Sequence, residues 1–413
     1  MLLRHTGCWE NHSPLCAWPE FLLLFWECSS LHAADSNGSK PFLPFSRPTI
    51  DETMVDAVAD TLRSLWITSG PQVLAFEKAL SEAHGGRPVR VVASATAAME
   101  VALLAVGIGS GDEVIMPAQT FFSCANAIAR TGAKPVFVDV DPVTRNMDLE
   151  ATVAAINPRT RALMPTHFAG LPLDMDALYE LAGDTNLRVI EDAALAIGSR
   201  WKGKRIGSFG DIASFSFHPN KNMTTIEGGA LVFAEESEAR VAEQYRFHGI
   251  SRNPDGTRDV TVLGGKYNLP DVNARLGLLQ LARLDEFTAR RQQLVARYFE
   301  QLQTDPPCQL PARGDTGHSW NFFAPLLPLD QLTLSRKQIM DALMARGIGT
   351  GISYEAVHLT TRYRQLGYRE GDFPHAERIA RETITLPLYP TLNEADVDRV
   401  CHEFRTVLHA AKR

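Results

Sequence analysis

Ile212-Ala213-Ser214-Phe215-Ser216-Phe217-His218-Pro219-Asn220-Lys221-Asn222-Met223-Thr224-Thr225-Ile226-Glu227-Gly228-Gly229-Ala230-Leu231-Val232-Phe233 decides how this chain is read. The run Ile212 to Phe217 is apolar or small and predicts a buried strand. Glu227-Gly228-Gly229 predicts a turn, and Ala230 to Phe233 a second strand. Between them, one cation, Lys221, sits in a loop of small polar residues. A loop lysine is usually a solvated charge. The sharper reading is an amine that forms a Schiff base, which needs partial burial or a nearby cation to shed its proton. The stretch alone leaves both readings open.

Upstream, apolar runs and amphipathic runs alternate. Strands are expected at Glu113–Met116, Pro135–Asp139, Ala162–Pro165 and Arg188–Ile190, and helices at Phe122–Arg130, Leu149–Ala155 and Met175–Ala182. That alternation implies an α/β fold with a mostly parallel sheet covered on both faces. Ligands of such sheets sit at the carboxyl ends of the strands, and Phe121, Asp192, Ser216 and Lys221 all fall there. Val89 to Ala93 reads as a strand that runs into Ser94-Ala95-Thr96 and a helix to Val106. A strand ending in small residues at a helix start suits phosphate, although Ser94 by itself reads more simply as an N-cap. Asp192, at the end of its strand, carries the same two readings, N-cap or functional carboxylate. Phe121 is either core or a functional aromatic.

Taken together, Ser216-Phe217-His218, Lys221 and Glu227-Gly228-Gly229 resemble the signature of the DegT/DnrJ/EryC1/StrS family. The resemblance spans about residues 41–410 and is specific only in combination. It implies fold type I, like aspartate aminotransferase, and pyridoxal 5'-phosphate (PLP) held as a Schiff base on Lys221. It implies that Asp192, in Glu191-Asp192-Ala193-Ala194, pairs with the pyridine nitrogen and sustains the electron sink. Phe121 then stacks on the ring. Ser94, Ala95 and Thr96, with Ser216, hold the phosphate. Asn268, in Tyr267-Asn268, reaches across a homodimer interface to the neighbouring phosphate, so a monomer lacks a complete site. Its plain alternative is a loop asparagine satisfied by its own backbone. His218 and His358 are the candidate substrate contacts, His358 reading otherwise as a surface histidine. Trp66-Ile67-Thr68-Ser69-Gly70-Pro71 is similar to the family's loop near the active site.

The chain departs from the family pattern in places. Leu195 stands where most members carry Gln or His, Ile197 where His is common, and Asn321 where Trp-His-x-Phe is usual. A leucine at 195 removes a hydrogen bond near the cofactor's phenolic oxygen and makes the site drier. Gly347-Ile348-Gly349-Thr350-Gly351 resembles the subgroup that aminates a UDP-linked 4-keto-pentose.

With 413 residues, 45% of them apolar, the chain can build one large domain and a smaller one. Boundaries are expected at 41–305 for the large PLP-binding domain and 306–413 for a small C-terminal α/β domain, after the linker Pro306, Pro307, Pro311 and Gly314. Within the first, an amphipathic helix is expected from Asp51 to Leu65, with Met54, Val58, Leu62 and Leu65 on one face. Gly249 to Gly265 reads as a polar loop, and a long helix is expected to reach about Leu302. Within the second, strands are expected at Trp320–Leu327 and Ile348–Ser353, and a last helix capped by Asn393 buries Val397, Val400, Cys401, Phe404, Val407 and Leu408. Residues 1–40 hold Cys8, Cys16 and Cys28 without a clear period. A secretory signal is one reading, but the apolar run Phe21 to Trp26 is short and flanked by Glu20 and Glu27. A disordered or misassigned extension is the expectation taken. A net charge of −7 gives no nucleic-acid footprint, and no apolar run approaches a membrane span. The six cysteines show no metal spacing, and a cytoplasmic location is the default expectation.

These readings converge on a transaminase that moves an amino group from L-glutamate to a nucleotide-linked keto sugar, with a UDP-4-keto sugar bound for lipid A or a cell-surface polysaccharide as the subgroup guess. Other classes stay open. A sugar dehydratase of the family carries histidine in place of the lysine, and Lys221 argues against it. A regulatory or sensor role finds no recognition helix here. An aminotransferase for a cyclitol or another small ketone is kept open by Leu195 and Asn321.

Overall fold

The computed structural model describes residues 41–314 and 317–413, so the expectations for 1–40 lie outside the described residues. Its centre is a seven-stranded sheet of β1 (Val89–Val92), β2 (Glu113–Pro117), β3 (Lys134–Val138), β4 (Thr160–Leu163), β5 (Arg188–Asp192), β8 (Ile212–Ser216) and β9 (Gly229–Val232). Between β5 and β8 lie the short paired strands β6 (Arg200–Trp201) and β7 (Lys204–Arg205). The sheet order is β1-β9-β8-β5-β4-β2-β3. The β2–β3, β2–β4, β4–β5 and β5–β8 pairs are parallel. β9 runs against both its neighbours, β1 and β8. The Lys221 loop folds the chain straight back there, with no crossover helix to restore the direction.

Register places the chemistry. Gly229 is opposite Val92 of β1 on one side and Ser216 of β8 on the other, while Asp192 of β5 is opposite Ser214. The carboxyl ends of three strands therefore meet along one edge. Two apolar layers sandwich the sheet. One is built on Met99, Leu103, Met116, Cys124, Ile190 and Leu231, the other on Phe76, Leu163, Val189, Phe215, Phe217 and Val232. A third cluster joins Leu43 and the helix Leu284–Leu302 to the C-terminal helix Glu394–Ala410. All six expected inner-face residues of that last helix are buried, and Asn393 caps it in a capping box.

Several local expectations differ from what is seen. The helix Glu52–Arg63 buries Met54, Ala57 and Thr61, while Leu62 is 52% and Leu65 87% exposed. The i, i+3, i+7 set Met54, Ala57 and Thr61 faces the helix Asp271–Ala282, and Leu62 and Leu65 are left outside. The long helix is broken at Arg283 into Asp271–Ala282 and Leu284–Leu302. The loop after Gly249 contains a hairpin, β10 (Ile250–Arg252) with β11 (Arg258–Val260). The expected strands 320–327 and 348–353 are extended segments joined only by single bridges, such as Phe323 to Leu386, Leu326 to Thr383 and Gly351 to Thr385. Pro325, Pro328 and Pro387 remove the donors a continuous ladder would need. Among the described residues no helix is long and apolar enough to cross a membrane.

Candidate active site

Lys221 lies just beyond β8, half-buried, with its amide donating to the His218 carbonyl at 2.9 Å. Burial pushes its amine down to about 8, against the opposing pull of the Asp192 charge. Its loop is laced from several sides. Thr224 Oγ1 donates to the Phe217 carbonyl at 3.0 Å and Thr225 Oγ1 to that of Glu227 at 2.8 Å. Asn321 Nδ2 donates to the Asn220 carbonyl at 3.3 Å and to Asn222 Oδ1 at 3.1 Å, so one amide holds both neighbours of the lysine. Asn222 Nδ2 in turn donates to the Ser319 carbonyl at 3.1 Å.

Asp192 is buried at the end of β5. Its Oδ2 accepts from the Cys124 thiol at 2.9 Å and from Thr166 Oγ1 at 3.5 Å, and its Oδ1 from the Ala194 amide at 3.1 Å. The neighbouring Glu191 points into a separate buried network, bonded to His167 Nε2 at 2.9 Å and to the Tyr179 hydroxyl at 2.6 Å. Alternation along a strand sends the two carboxylates to opposite faces, so they enter separate networks.

The helix Ala95–Ala105 starts beside this edge. Ser94 is its N-cap, its Oγ accepting from the Ala97 amide at 3.1 Å, while Ala98 N–H donates to the Ser94 carbonyl. The amides of Ala95 and Thr96 remain in the first turn, at the positive end of the helix. A Cβ on Gly229 would lie 2.5 Å from Ser94 C and 2.6 Å from Ala95 N, so only glycine lets β9 come this close. Ser216, buried, faces Gly229 from the other side. Phe121 is 40% exposed, an apolar face at the end of β2. A phosphate cradle, a buried carboxylate, an open aromatic face and an amine of lowered pKa occupy one edge, and this donor set fits PLP.

Other candidates fall differently. His218 is half-buried, with Nδ1 2.8 Å from Asn220 Oδ1. Asn268 is half-buried, and its Nδ2 donates to Ser69 Oγ at 2.8 Å within its own chain. His358 is neither a surface nor a substrate-facing residue: it is fully buried among Phe137, Tyr368 and Phe373, with Nε2 3.0 Å from Glu377. Burial holds that ring below the usual histidine range. The three departures Leu195, Ile197 and Asn321 are all buried, and Leu195 packs with Phe168, Phe322 and Tyr354.

Cys124, Thr166, Asn222 and Tyr354 went unread in the sequence. Asn222 stands next to Lys221, while the other three meet the site through contacts across the fold, and of those only Cys124, three residues beyond Phe121, had a local clue.

The sequence pattern of the DegT/DnrJ/EryC1/StrS aminotransferase family matches residues 48–405. Among solved structures, the PLP form of Streptococcus pneumoniae Spr1654, described as a sugar aminotransferase, is 31% identical, with a TM-score of 0.84 over 89% of this chain and 99% of that one. Helicobacter pylori PseC, an aminotransferase of pseudoaminic acid biosynthesis, is 27% identical, with a TM-score of 0.85 over 89% of this chain and all (100%) of that one. DesI, solved in the presence of its TDP-sugar product, is 29% identical, with a TM-score of 0.81 over 89% and 93% of the two chains.

Proposed function

This chain belongs to the DegT/DnrJ/EryC1/StrS aminotransferase family, and we propose that it transfers the amino group of L-glutamate to a nucleotide-linked keto sugar, with Lys221 as its catalytic amine. It is a PLP-dependent enzyme of fold type I. One observation carries the residue assignment: the Lys221 amine, lowered to about 8, lies within the electrostatic reach of the buried Asp192 carboxylate. PseC and DesI support the nucleotide-sugar class, DesI through its TDP-sugar product.

When bound, PLP supplies an electron sink for the carbon that carries the nitrogen. The chain's own groups do the rest. Lys221 Nζ would anchor the cofactor and, once the amino donor has displaced it, move a proton between the substrate carbon and the cofactor. A pKa near working pH suits both directions of this transfer. Asp192 keeps a proton on the ring nitrogen, because an anion in a dry site favours the charged form. Phe121 offers its face to the ring. The Ala95 and Thr96 amides, with Ser94 and Ser216, take the phosphate. Donor and acceptor use the same groups in turn, which gives ping-pong kinetics.

A homodimer completes this reading. Leu62, Leu65, Trp66 and Ile67 leave large apolar surface exposed, and Asn268 bonds to Thr68 and Ser69 in the same segment. Contiguous exposed apolar surface of this kind marks an association site. In this reading Asn268, at its edge, gives up Ser69 for a phosphate of the neighbouring subunit.

The test is the visible absorbance of the PLP-loaded protein before and after L-glutamate, beside Lys221→Ala. The cofactor band bleaches with glutamate in the wild type, and the variant shows no such band. A panel of UDP- and TDP-linked 4-keto sugars, simple keto acids and ring ketones then restores it. Restoration by keto acids or cyclitol ketones alone defeats the sugar-nucleotide reading.

A further inference from the structure

The groups assigned so far come from the sheet edge, and none comes from the C-terminal wall of the cleft. Tyr354 stands in that wall. Its ring centroid is 5.7 Å from that of Phe121, tilted by 58°. On its other sides it packs edge-on against Phe168 at 6.5 Å and Phe322 at 6.0 Å. The backbone here is tied to the end of β2: Gln119 Nε2 donates to the Tyr354 carbonyl at 3.3 Å, and the Val357 amide to the Ala118 carbonyl at 2.8 Å.

The hydroxyl is another matter. Tyr179, Tyr267, Tyr298, Tyr363 and Tyr368 each bond their phenol to Glu191, Glu100, the Pro387 carbonyl, Asn126 or the Phe137 amide. The half-buried Tyr354 hydroxyl has no such partner among the described residues. Burial and the Asp192 charge push the phenol above its ordinary range, so it stays neutral and able to donate. A half-buried aromatic of this kind offers an apolar body and one polar tip.

The rings packed on it are apolar, and carboxylates, Asp192 and Glu355, are the charges that act on its phenol. Leu195 and Phe322 flank Tyr354. The nearby cation, Arg145, is itself buried, 5.9 Å from the Phe168 ring, with Nη1 donating to the Ala324 carbonyl. Beside these carboxylates a neutral hydroxyl-bearing ring meets no repulsion, whereas a dicarboxylate does.

We propose that the Tyr354 hydroxyl is a specificity-determining contact, donating a hydrogen bond to a ring hydroxyl of the acceptor sugar. The inference rests on the aminotransferase reading above. It makes the acceptor a hydroxyl-bearing neutral ring and leaves glutamate recognition to other groups.

Tyr354→Phe keeps the ring packing and removes only the oxygen. The two half-reactions are followed separately on PLP-loaded protein by loss of the cofactor band, one with L-glutamate and one with two amino sugar probes. The probes are UDP-4-amino-4-deoxy-L-arabinose and TDP-4-amino-4,6-dideoxyglucose, and the PLP dissociation constant is measured alongside. Loss of one substrate hydrogen bond lowers kcat/KM for the responding sugar probe about tenfold. The glutamate half-reaction and PLP affinity are expected to stay within about twofold. An equal loss in both halves, or weaker PLP binding, assigns the hydroxyl to the cofactor and overturns the proposal. An unchanged sugar half-reaction, or a wild type that answers glutamate but neither sugar, overturns it as well. A wild type that answers no amine is the distinct outcome that sinks the aminotransferase reading and the proposal with it.

Discussion

The thiol of Cys124 donates to Oδ2 of Asp192 across 2.9 Å, and both residues are buried. Burial and the adjacent carboxylate push the thiol well above its ordinary range, so it remains a donor. Cys124→Ser preserves a donor and Cys124→Val does not. Loss of this bond is worth about 1 kcal/mol, or roughly fivefold in the PLP dissociation constant. A fluorescence titration of the two variants reads the difference. Equal affinities would show that the thiol only fills space.

Lys221 predicts a pH dependence. Its ordinary value is 10.5 and its folded value about 8, because the charged form is disfavoured by burial. The neutral amine therefore dominates above about 8, and the rate at which cofactor-free protein takes up PLP rises through that pH. Asp192 pulls the other way, so Asp192→Asn moves the midpoint lower still. The same depression carries a stability sign. The unfolded chain binds the extra proton between about 8 and 10.5, so folded stability rises with pH across that window. A midpoint near 10.5 in the uptake profile would refute the burial of the amine.

Gly229→Ala tests the cradle. The new Cβ would lie 2.5 to 2.6 Å from the Ser94 and Ala95 backbone, closer than real contacts allow, and those atoms cannot swing away. The helix start moves off the phosphate. PLP affinity is expected to fall by about tenfold or more, while pyridoxal, which lacks the phosphate, is much less affected. Parallel titrations with the two ligands separate this from general unfolding.

Asn321 reaches both flanks of Lys221 through one amide nitrogen. Asn321→Asp removes the donor and adds a charge facing the Asn220 carbonyl and Asn222 Oδ1. Loss of both bonds costs about 2 kcal/mol locally, and borohydride trapping of PLP on Lys221 is expected to slow. Trapping at the wild-type rate would show that the loop holds its shape without Asn321.

Asp271 is fully buried and accepts from the amides of Gly70, Gln72 and Val73, at 2.7, 3.1 and 3.4 Å. It caps the helix Pro71–Ala83 from a distance, since Gly70, the local N-cap, has no side chain to do so. Asp271→Ala leaves those amides without acceptors and is expected to cost about 2–3 kcal/mol. Thermal unfolding of the variant, with the Trp66–Gly70 loop losing protection from hydrogen exchange, checks it.

Much of the site was legible locally. A strand ending in Asp192, a strand ending before Ser94 and a strand–loop–strand around Lys221 are short-range patterns, and backbone alternation alone sends their ends to one edge. His358 was misread because histidine is usually not buried and its flanking Val357 and Leu359 were not weighed. Its burial comes from Phe137, Tyr368 and Phe373, brought together by packing. Leu62 and Leu65 were misread for the converse reason: helical periodicity identifies an apolar face but not what covers it.

By itself, then, the sequence determined the strand–helix alternation, the family and the residues that stand at strand ends, because these depend on periodicity and on motifs a few residues long. Only the tertiary structure decided which side chains support them. Cys124 meets Asp192 across 68 residues, Asn321 meets Asn222 across 99, and Asp271 meets Gly70 across 201. A hydrogen bond is set by the distance between two atoms in the folded chain, and separation along the backbone carries no information about it until the sheet has fixed where each strand ends.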